Sequence, residues 1–417
     1  LTPNGFWRRK NTVSLMKSSK LNRKQAIDRL LTRGVTEVVN RKHLEAALKS
    51  GKKLRVKLGI DPTGPKVHLG NAVIIRKLRD FQRLGHKAVL IIGDSTALIG
   101  DPSDKLAKRP MLTPAQVKTN LKDYKTQLGR IVDLKKAEFH FNSEWLAKLK
   151  FADIAQLAET FTVQQMLARR NFRDRIESGK EISLRELLYP LMQGYDSVAI
   201  KADVEIGGFD QLFNVLAGRT IQQFYGQKPQ DILTGEMLDG TDGRKMSKSW
   251  GNVVNIVDSA NDMFAKVMAV KDGLIKKYFT LCTDRSLAEI NRIMSAIAKK
   301  NMNPRDAKII LAREIVTLYH GAVAAKKAEA EFRKVYQREE LPSKMKTVRV
   351  KADAVPLRDL IAVVGLAPSK SEAHRLIIQG GIKVDGIKVM NPQKSIDLAG
   401  VGVVLQAGKA KFARVVR

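Results

Sequence analysis

Cysteine is nearly missing from the 417 residues: Cys282 stands alone, so neither an intrachain disulfide nor a cysteine-based metal cluster can form, and a reducing compartment suits the chain best. Long apolar runs are missing too. The longest, such as Ala88 to Ile92, fall far short of the roughly 20 residues that a membrane helix needs. Acid is the third shortage, with 42 Asp and Glu against 75 Lys and Arg, a formal net charge of +33. So large an excess favours a polyanionic partner, because each phosphate that a cation neutralises releases condensed counterions. A basic surface without such a partner is the bland alternative. Acid is wholly absent from the first 27 residues, which carry seven Lys and Arg. Polar and basic residues dominate there without amphipathic order, so residues 1–25 read as a basic leader without regular structure; a transit peptide and an RNA-contacting tail are the alternatives.

The length that remains can bury a substantial core over two or three domains. It is organised around one stretch, Gly59-Ile60-Asp61-Pro62-Thr63-Gly64-Pro65-Lys66-Val67-His68-Leu69-Gly70-Asn71. A strand-like run, Leu54 to Leu58, precedes it, and an apolar run with helical spacing, Ala72 to Leu78, follows. Strand, turn and helix N-terminus in that order make an anion site, since free backbone N–H groups and the positive end of the helix dipole converge on the turn. A second buried strand, Ala88 to Gly93, leads to Gly100-Asp101-Pro102-Ser103. Strand, crossover helix and strand form a βαβ unit, which predicts a parallel sheet with ligands gathered at the strand C-termini, where Asp101 lies. A plain turn aspartate before proline is the alternative for Asp101.

A basic loop follows, Asp104-Lys105-Leu106-Ala107-Lys108-Arg109, and then mostly helical patterning from Pro114 to about Gly179. Ser183 to Lys201 reads as one helix, in which Pro190 and Gly194 invite a kink. Tyr189, Gln193 and Asp196 fall at i, i+4 and i+7, so three polar groups share one face amid Leu188, Leu191, Met192 and Val198. Such a stripe either faces solvent or lines a pocket. Val204 to Ile206 reads as a strand that ends at Gly207-Gly208-Phe209-Asp210-Gln211, where two glycines let the backbone approach a nucleoside closely. A glycine turn with Asp210 as helix cap is compatible with that role. Far downstream, Gly243-Arg244-Lys245-Met246-Ser247-Lys248-Ser249 sets two lysines three apart beside Gly and Ser, a cationic loop suited to a polyphosphate. Lys24 to Leu48 reads as two helices over one face of the sheet, and Asn252 to about Leu341 as further helices. From Lys346 onward there are 13 Lys and Arg against five Asp and Glu.

His68-Leu69-Gly70-Asn71 and Lys245-Met246-Ser247-Lys248-Ser249 together resemble the HIGH and KMSKS motifs of class I aminoacyl-tRNA synthetases. With Asp101, the Tyr-x3-Gln-x2-Asp helix and Asp210-Gln211 between them, the chain resembles bacterial-type tyrosyl-tRNA synthetases along nearly its whole length. In the tail, Gly365 to Ile377 followed by Gly380 to Gly386 resembles the S4 RNA-binding domain. The resemblance implies an α/β protein whose Rossmann-like parallel-sheet catalytic domain spans 26–250. A helical connective insertion at 113–180 would form a dimer interface. An all-α anticodon-binding domain at 251–341, a linker at 342–353 and a small α+β S4 domain at 354–417 would follow.

The implied reaction joins tyrosine to ATP as tyrosyl-adenylate, releases pyrophosphate, and passes tyrosine to the 3′ end of tRNA(Tyr), in the cytoplasm. ATP is a substrate with Mg²⁺ carried on its phosphates, and no dedicated protein metal site is implied. By the same resemblance Thr63, His68, Lys105, Arg109, Lys245 and Lys248 surround the leaving pyrophosphate. Gly59, Asp61, His68, Gly70, Asn71, Gly208, Asp210, Lys245, Met246 and Lys248 bind ATP. Lys57, Asp101, Tyr189, Gln193, Asp196 and Gln211 bind tyrosine, and Lys370, Arg375 and Lys383 bind tRNA. Four positions depart from the family pattern: Lys57 replaces a tyrosine that donates to the substrate hydroxyl, Asn71 a second histidine, Asp104 a glycine and Phe209 a small hydroxyl residue. The rival readings are the tryptophan-specific relative, which shares the fold, and a catalytically silent RNA-binding paralogue.

Overall fold

The computed structural model describes residues 22–103, 111–246, 250–337, 341, 345–398, 400, 402–408 and 411–417. Two compact units divide at Gly321 and Ala322. Residues 1–21 of the expected leader lie outside the described residues, and the helix Arg23–Thr32 begins within its last positions.

The first unit is built on six strands: β1 Val35–Val39, β2 Arg55–Ile60, β3 Lys87–Ile92, β4 Glu138–Phe141, β5 Val204–Gly208 and β6 Asp231–Gly235. Their order is β1-β6-β5-β2-β3-β4, and every neighbouring pair is parallel except β1 with β6. The central strands are continuous apolar runs rather than alternating ones. Ala88, Val89, Leu90, Ile91 and Ile92 are all fully buried, as a sheet covered on both faces requires. From β2 the chain steps to β3 on one side, and it later returns as β5 on the other, so the topological switch lies at the C-terminal ends of β2 and β5.

One expectation needs correction. Between the helices Arg23–Thr32 and Arg41–Lys49 lies β1, where two helices alone were expected. Its sequence, Val-Thr-Glu-Val-Val, is rich in β-branched residues, and pairing with β6 completes that edge of the sheet. The insertion, expected to be mostly helical, also contributes β4, which pairs with β3.

Helix Leu69–Arg83 is capped by its own motif: His68 Nδ1 accepts from the Asn71 N–H at 3.3 Å, and Asn71 Oδ1 accepts from the His68 N–H at 3.3 Å. Helix Leu184–Ala199 matches its expected span, capped by Ser183 and Glu186. Glu186 also pairs with Arg175 at 2.8 Å, both side chains fully buried. The helix packs on Leu212–Phe224 at Gly194, where a Cβ would stand 2.6 Å from Ile221 Cδ1 and 3.3 Å from the Ala217 backbone.

Helices Ala260–Met268, Ile275–Cys282, Leu287–Ala298 and Pro304–His320 bury Met263, Phe264, Ile275, Phe279, Leu311 and Ile315 among others. Arg33 joins this group to the sheet side: its guanidinium donates to the carbonyls of Phe279, Thr280, Thr283 and Arg285 at the end of Ile275–Cys282. Such donors satisfy carbonyls that a helix end leaves open. Close by, Arg76 and Arg79 contact Asp284 at 2.5 and 2.9 Å.

The second unit begins with helix Ala322–Gln337. It continues with β7 Lys346–Arg349, β8 Ala354–Pro356, β9 Ile382–Val384, β10 Ile387–Lys388, β11 Ser395–Asp397, β12 Val403–Ala407 and β13 Lys411–Val416. One sheet has the order β10-β9-β12-β13-β7 and a small one pairs β8 with β11. Residues 346–349, expected as linker, are thus a strand parallel to β13. Helices Leu357–Val363 and Lys370–Ile378 bury Leu357, Leu360, Ile361, Ala373 and Ile377 against Ile382, Leu405 and Val415. The β9–β10 turn has Asp385 and Gly386 at φ 47° and 82°, the two positive values that a tight two-residue hairpin needs. Among the described residues no helix is long and apolar enough to cross a membrane.

Candidate active site

A cavity of about 230 Å³ opens at the switch point, where the ends of β2, β3 and β5 meet. β2 delivers Gly59, Asp61 and then Thr63; the turn after β3 delivers Gly93 and Thr96; β5 delivers Gly207. Asp61 is fixed from two sides, accepting from Thr96 Oγ1 at 2.7 Å and from the Tyr189 hydroxyl at 2.9 Å. Gly93 makes room for this arrangement, since a Cβ there would lie 2.0 Å from Asp61 Oδ1. Burial first, then the carboxylates of Asp61, Asp101 and Asp196, hold the Tyr189 phenol well above its ordinary range, so it is a neutral donor.

Asp101 lies across the cavity in a dense set of donors. Its Oδ1 accepts from the Ser103 N–H, the Ser103 hydroxyl and Asn214 Nδ2 at 2.9, 2.7 and 3.3 Å; Oδ2 accepts from Gln211 Nε2 at 2.5 Å. Behind it the Arg169 guanidinium donates to Ser103 Oγ and Asn214 Oδ1 and lies over the rings of Phe172 and Phe213. A carboxylate so placed suits an ammonium group.

Helix Leu184–Ala199 contributes Tyr189, Gln193 and Asp196 to the cavity together, so the polar stripe lines a pocket and does not face solvent. Asp196 accepts from Trp145 Nε1 at 2.7 Å and from Asn142 Nδ2 at 3.4 Å. Desolvation pushes its carboxyl up to about 7, opposed by Lys57 and by those two donors. Lys57 itself does not line the cavity. Its ammonium is fully buried behind Gln193 and bound to Glu205 at 2.9 Å, which turns it away from the donor position that its place in the sequence suggests.

The second side of the site is the histidine turn. Leu69 N–H donates to the Val254 carbonyl at 2.9 Å and Ile256 N–H to the Val67 carbonyl at 3.0 Å, with His68 and Asn255 in an antiparallel bridge. Asn252 Nδ2 donates to the Lys245 carbonyl at 3.1 Å. The histidine turn and the described part of the second motif, Lys245 and Met246, far apart in sequence, are thereby joined through residues 252–256. Gly70 lies against both the His68 ring and the Met246 sulfur, which a Cβ would approach at 3.3 Å. Lys245 Nζ stands 4.0 Å from Asp210 Oδ2, and Asp210 and Gln211 reach the cavity. Gly208 leaves space for the Asp210 carboxylate, 2.6 Å from where its Cβ would be. Asn71 is engaged in the helix cap, and Phe209 is 44% exposed and outside the cavity lining. Asp104, Lys105, Arg109 and Lys248 lie outside the described residues.

In the second unit, Lys370 and Arg375 are exposed on one short helix, paired with Asp359 and Glu372, and Lys383 is on β9. No three His, Cys, Asp or Glu gather as a metal site among the described residues.

Sequence reasoning missed Thr96, Asn142, Trp145, Arg169, Glu205 and Asn214. Two left a sign: Glu205, a lone carboxylate between Val204 and Ile206 in a strand, and Asn214, a polar residue among Leu212, Phe213, Val215 and Leu216.

The family model of class I tRNA synthetases (W and Y) matches residues 49–337, and that of the S4 domain matches residues 355–399. The class of protein is therefore a class I aminoacyl-tRNA synthetase. Among curated relatives, a tyrosine–tRNA ligase of Moorella thermoacetica is 48% identical over 392 residues, 93% of this chain and 95% of its own length. That of Thermotoga maritima is 46% identical over 388 residues, 93% and 96% of the two chains. Of solved structures, a C-terminally truncated mitochondrial tyrosyl-tRNA synthetase from Coccidioides posadasii aligns with TM-score 0.59 at 26% identity, over 73% of this chain and 91% of that one. Within the class, the chain belongs to the tyrosine–tRNA ligase family.

Proposed function

We propose that this chain activates tyrosine with ATP and transfers it to tRNA(Tyr), using the cavity between Asp101 and Asp196 as the tyrosine site. The observation that carries this reading is the pairing of opposite ends. Asp101, Tyr189, Gln193 and Gln211 suit the ammonium and carboxylate of an amino acid, and Asp196 supplies a buried acceptor for a phenolic hydroxyl. Phenylalanine would leave that acceptor desolvated and unmatched, which is a strong basis for rejection.

The tyrosine carboxylate attacks the α-phosphorus of ATP, the bond to the bridging oxygen breaks, and pyrophosphate leaves. A carboxylate is already a nucleophile near neutral pH, so the step requires no general base. Positioning and stabilisation of the departing charge carry the catalysis. Thr63, His68 and Lys245, with Lys105, Arg109 and Lys248, face that charge in this reading. Gly59, Asp61, Gly70, Asn71, Gly208, Asp210 and Met246 hold the nucleoside and its phosphates, and Mg²⁺ arrives on ATP. The terminal ribose hydroxyl of tRNA then attacks the adenylate carbonyl and AMP leaves.

Lys370, Arg375 and Lys383 bind RNA through its backbone and shape. The insertion serves as the interface of a homodimer, a role that suits the exposed apolar side chains of Phe151, Val163 and Ile176. The reaction's place is the cytoplasm.

Amino-acid-dependent ATP–pyrophosphate exchange, run with tyrosine, phenylalanine and tryptophan in the absence of tRNA, tests the reading. Exchange with tyrosine alone is expected. Preference for another amino acid would overturn the substrate, and no exchange from folded protein would point to the silent paralogue.

A further inference from the structure

We propose that Lys57 and Glu205 are positioning residues that fix which end of the Gln193 amide faces the amino acid; the inference rests on the tyrosine site proposed above. Lys57 and Glu205 are 0% and 1% exposed on neighbouring strands β2 and β5, and neither touches the cavity. The three ammonium protons have three acceptors, Glu205 Oε1 at 2.9 Å, the Gln193 main-chain carbonyl at 2.7 Å and Ser197 Oγ at 2.7 Å. Glu205 is saturated in turn. Oε1 accepts from Lys57 and from Gln193 Nε2 at 3.0 Å, and Oε2 accepts from Ser197 Oγ at 3.1 Å and from Gln230 Nε2. Gly218 leaves the space, since a Cβ there would meet Gln230, Ser197 and Glu205 at 2.5, 3.0 and 3.1 Å.

A side-chain amide has a donor end and an acceptor end, and an ionised carboxylate only accepts. The Glu205 carboxylate therefore claims the NH₂ end of Gln193, and the Oε1 end is the one presented to the cavity that Gln193 lines. An amide oxygen accepts from an ammonium group; a turned amide would confront it with N–H. Without the Lys57 ammonium, Glu205 Oε1 loses its charged donor and the link from β2 to Gln193 and Ser197 goes with it, so the carboxylate is no longer held against Gln193 Nε2 and the amide is free to turn. The salt bridge thus sets the polarity of a group it does not share with the ligand.

The test compares three ligands on the full chain by calorimetry: tyrosine, tyramine, which keeps the ammonium, and 3-(4-hydroxyphenyl)propionate, which lacks it. Lys57→Met is expected to weaken tyrosine and tyramine by about tenfold to a hundredfold and to change the ammonium-free ligand by less than about threefold. Glu205→Gln is expected to retain the discrimination, because an amide oxygen turned to Lys57 still accepts from Gln193. Equal weakening of all three ligands by Lys57→Met, or no weakening, would overturn the inference, as would loss of the discrimination in Glu205→Gln. Neutron diffraction from the wild-type protein decides the matter even where Lys57→Met does not fold: the Gln193 amide deuterons are expected on the Glu205 side, and deuterons on the cavity side would refute it. Tyrosine-dependent exchange by the wild type separates the two proposals. Its absence removes the tyrosine site itself, whereas exchange with unchanged ligand discrimination in Lys57→Met removes only the positioning role.

Discussion

Asp196 holds two demands in opposition. Burial pushes its carboxyl from the ordinary 3.8 up to about 7, so the folded chain binds a proton that the unfolded chain has released. Stability contributed by this group is therefore present at low pH and declines as pH rises from about 4 through about 7. In the tyrosine site proposed above, recognition of a phenol runs the other way, because the ionised carboxylate is the better acceptor. Between about pH 6 and pH 8 the tyrosine KM in pyrophosphate exchange is expected to fall with a midpoint near 7 while the ATP KM stays flat. Asp196→Asn is expected to flatten that profile and to erode the preference for tyrosine over phenylalanine.

Sequence spacing brought Tyr189, Gln193 and Asp196 onto one face, and the cavity lies there. The donors that hold the carboxylates of the site, Asn142 and Trp145 after β4 on Asp196 and Thr96 after β3 on Asp61, belong to no local pattern. They reach the site only because strands distant in sequence are neighbours in the sheet. Lys57 shows the same limit from the other direction. Its position was legible, but its partner Glu205 is one strand away and 148 residues later.

At the scale of elements, helix boundaries were legible wherever a cap and an apolar stripe coincide, as in Leu184–Ala199. The strand β1 was not, because five residues at a sheet edge give too short an alternation to separate from the helices on either side. The contact at Gly194 yields a sharper expectation. Gly194→Val would push helix Leu184–Ala199 from Ile221 and the Ala217 backbone, costing about 2 kcal/mol. Urea denaturation measures that cost, and a rise in tyrosine KM reports the shift of Gln193 and Asp196.

Asp284 secures a different join. Burial alone would raise its carboxyl, yet the guanidinium groups of Arg76, Arg79 and Arg83 overcome this and hold it well below the usual range. Its contribution is therefore complete above about pH 4 and is lost as pH falls further. Asp284→Asn is expected to cost about 3 kcal/mol in urea denaturation at neutral pH, with a smaller difference from wild type in acid.

For the whole molecule, the charge of +33 separates the two half-reactions. Aminoacylation requires a polyanion and is expected to lose efficiency steeply as salt rises, whereas exchange without tRNA changes little. Reversing Lys370, Arg375 and Lys383 to Glu together is expected to weaken tRNA binding by at least about tenfold and to lower its salt slope, read by filter binding across a salt series.

The backbone bridge between 67–69 and 254–256 also orders events in time. A chain emerging from the ribosome can lay β2 beside β3 early, because few residues separate them. The histidine turn has no clasp until some 190 residues later, and β1 must wait about as long for β6. Catalytic competence therefore arrives as one late closure. A nascent chain halted before residue 252 would hold most of its sheet while lacking the segment 254–256 that bridges its first motif, and its hydrogen-exchange protection would show the sheet secure and the turn open.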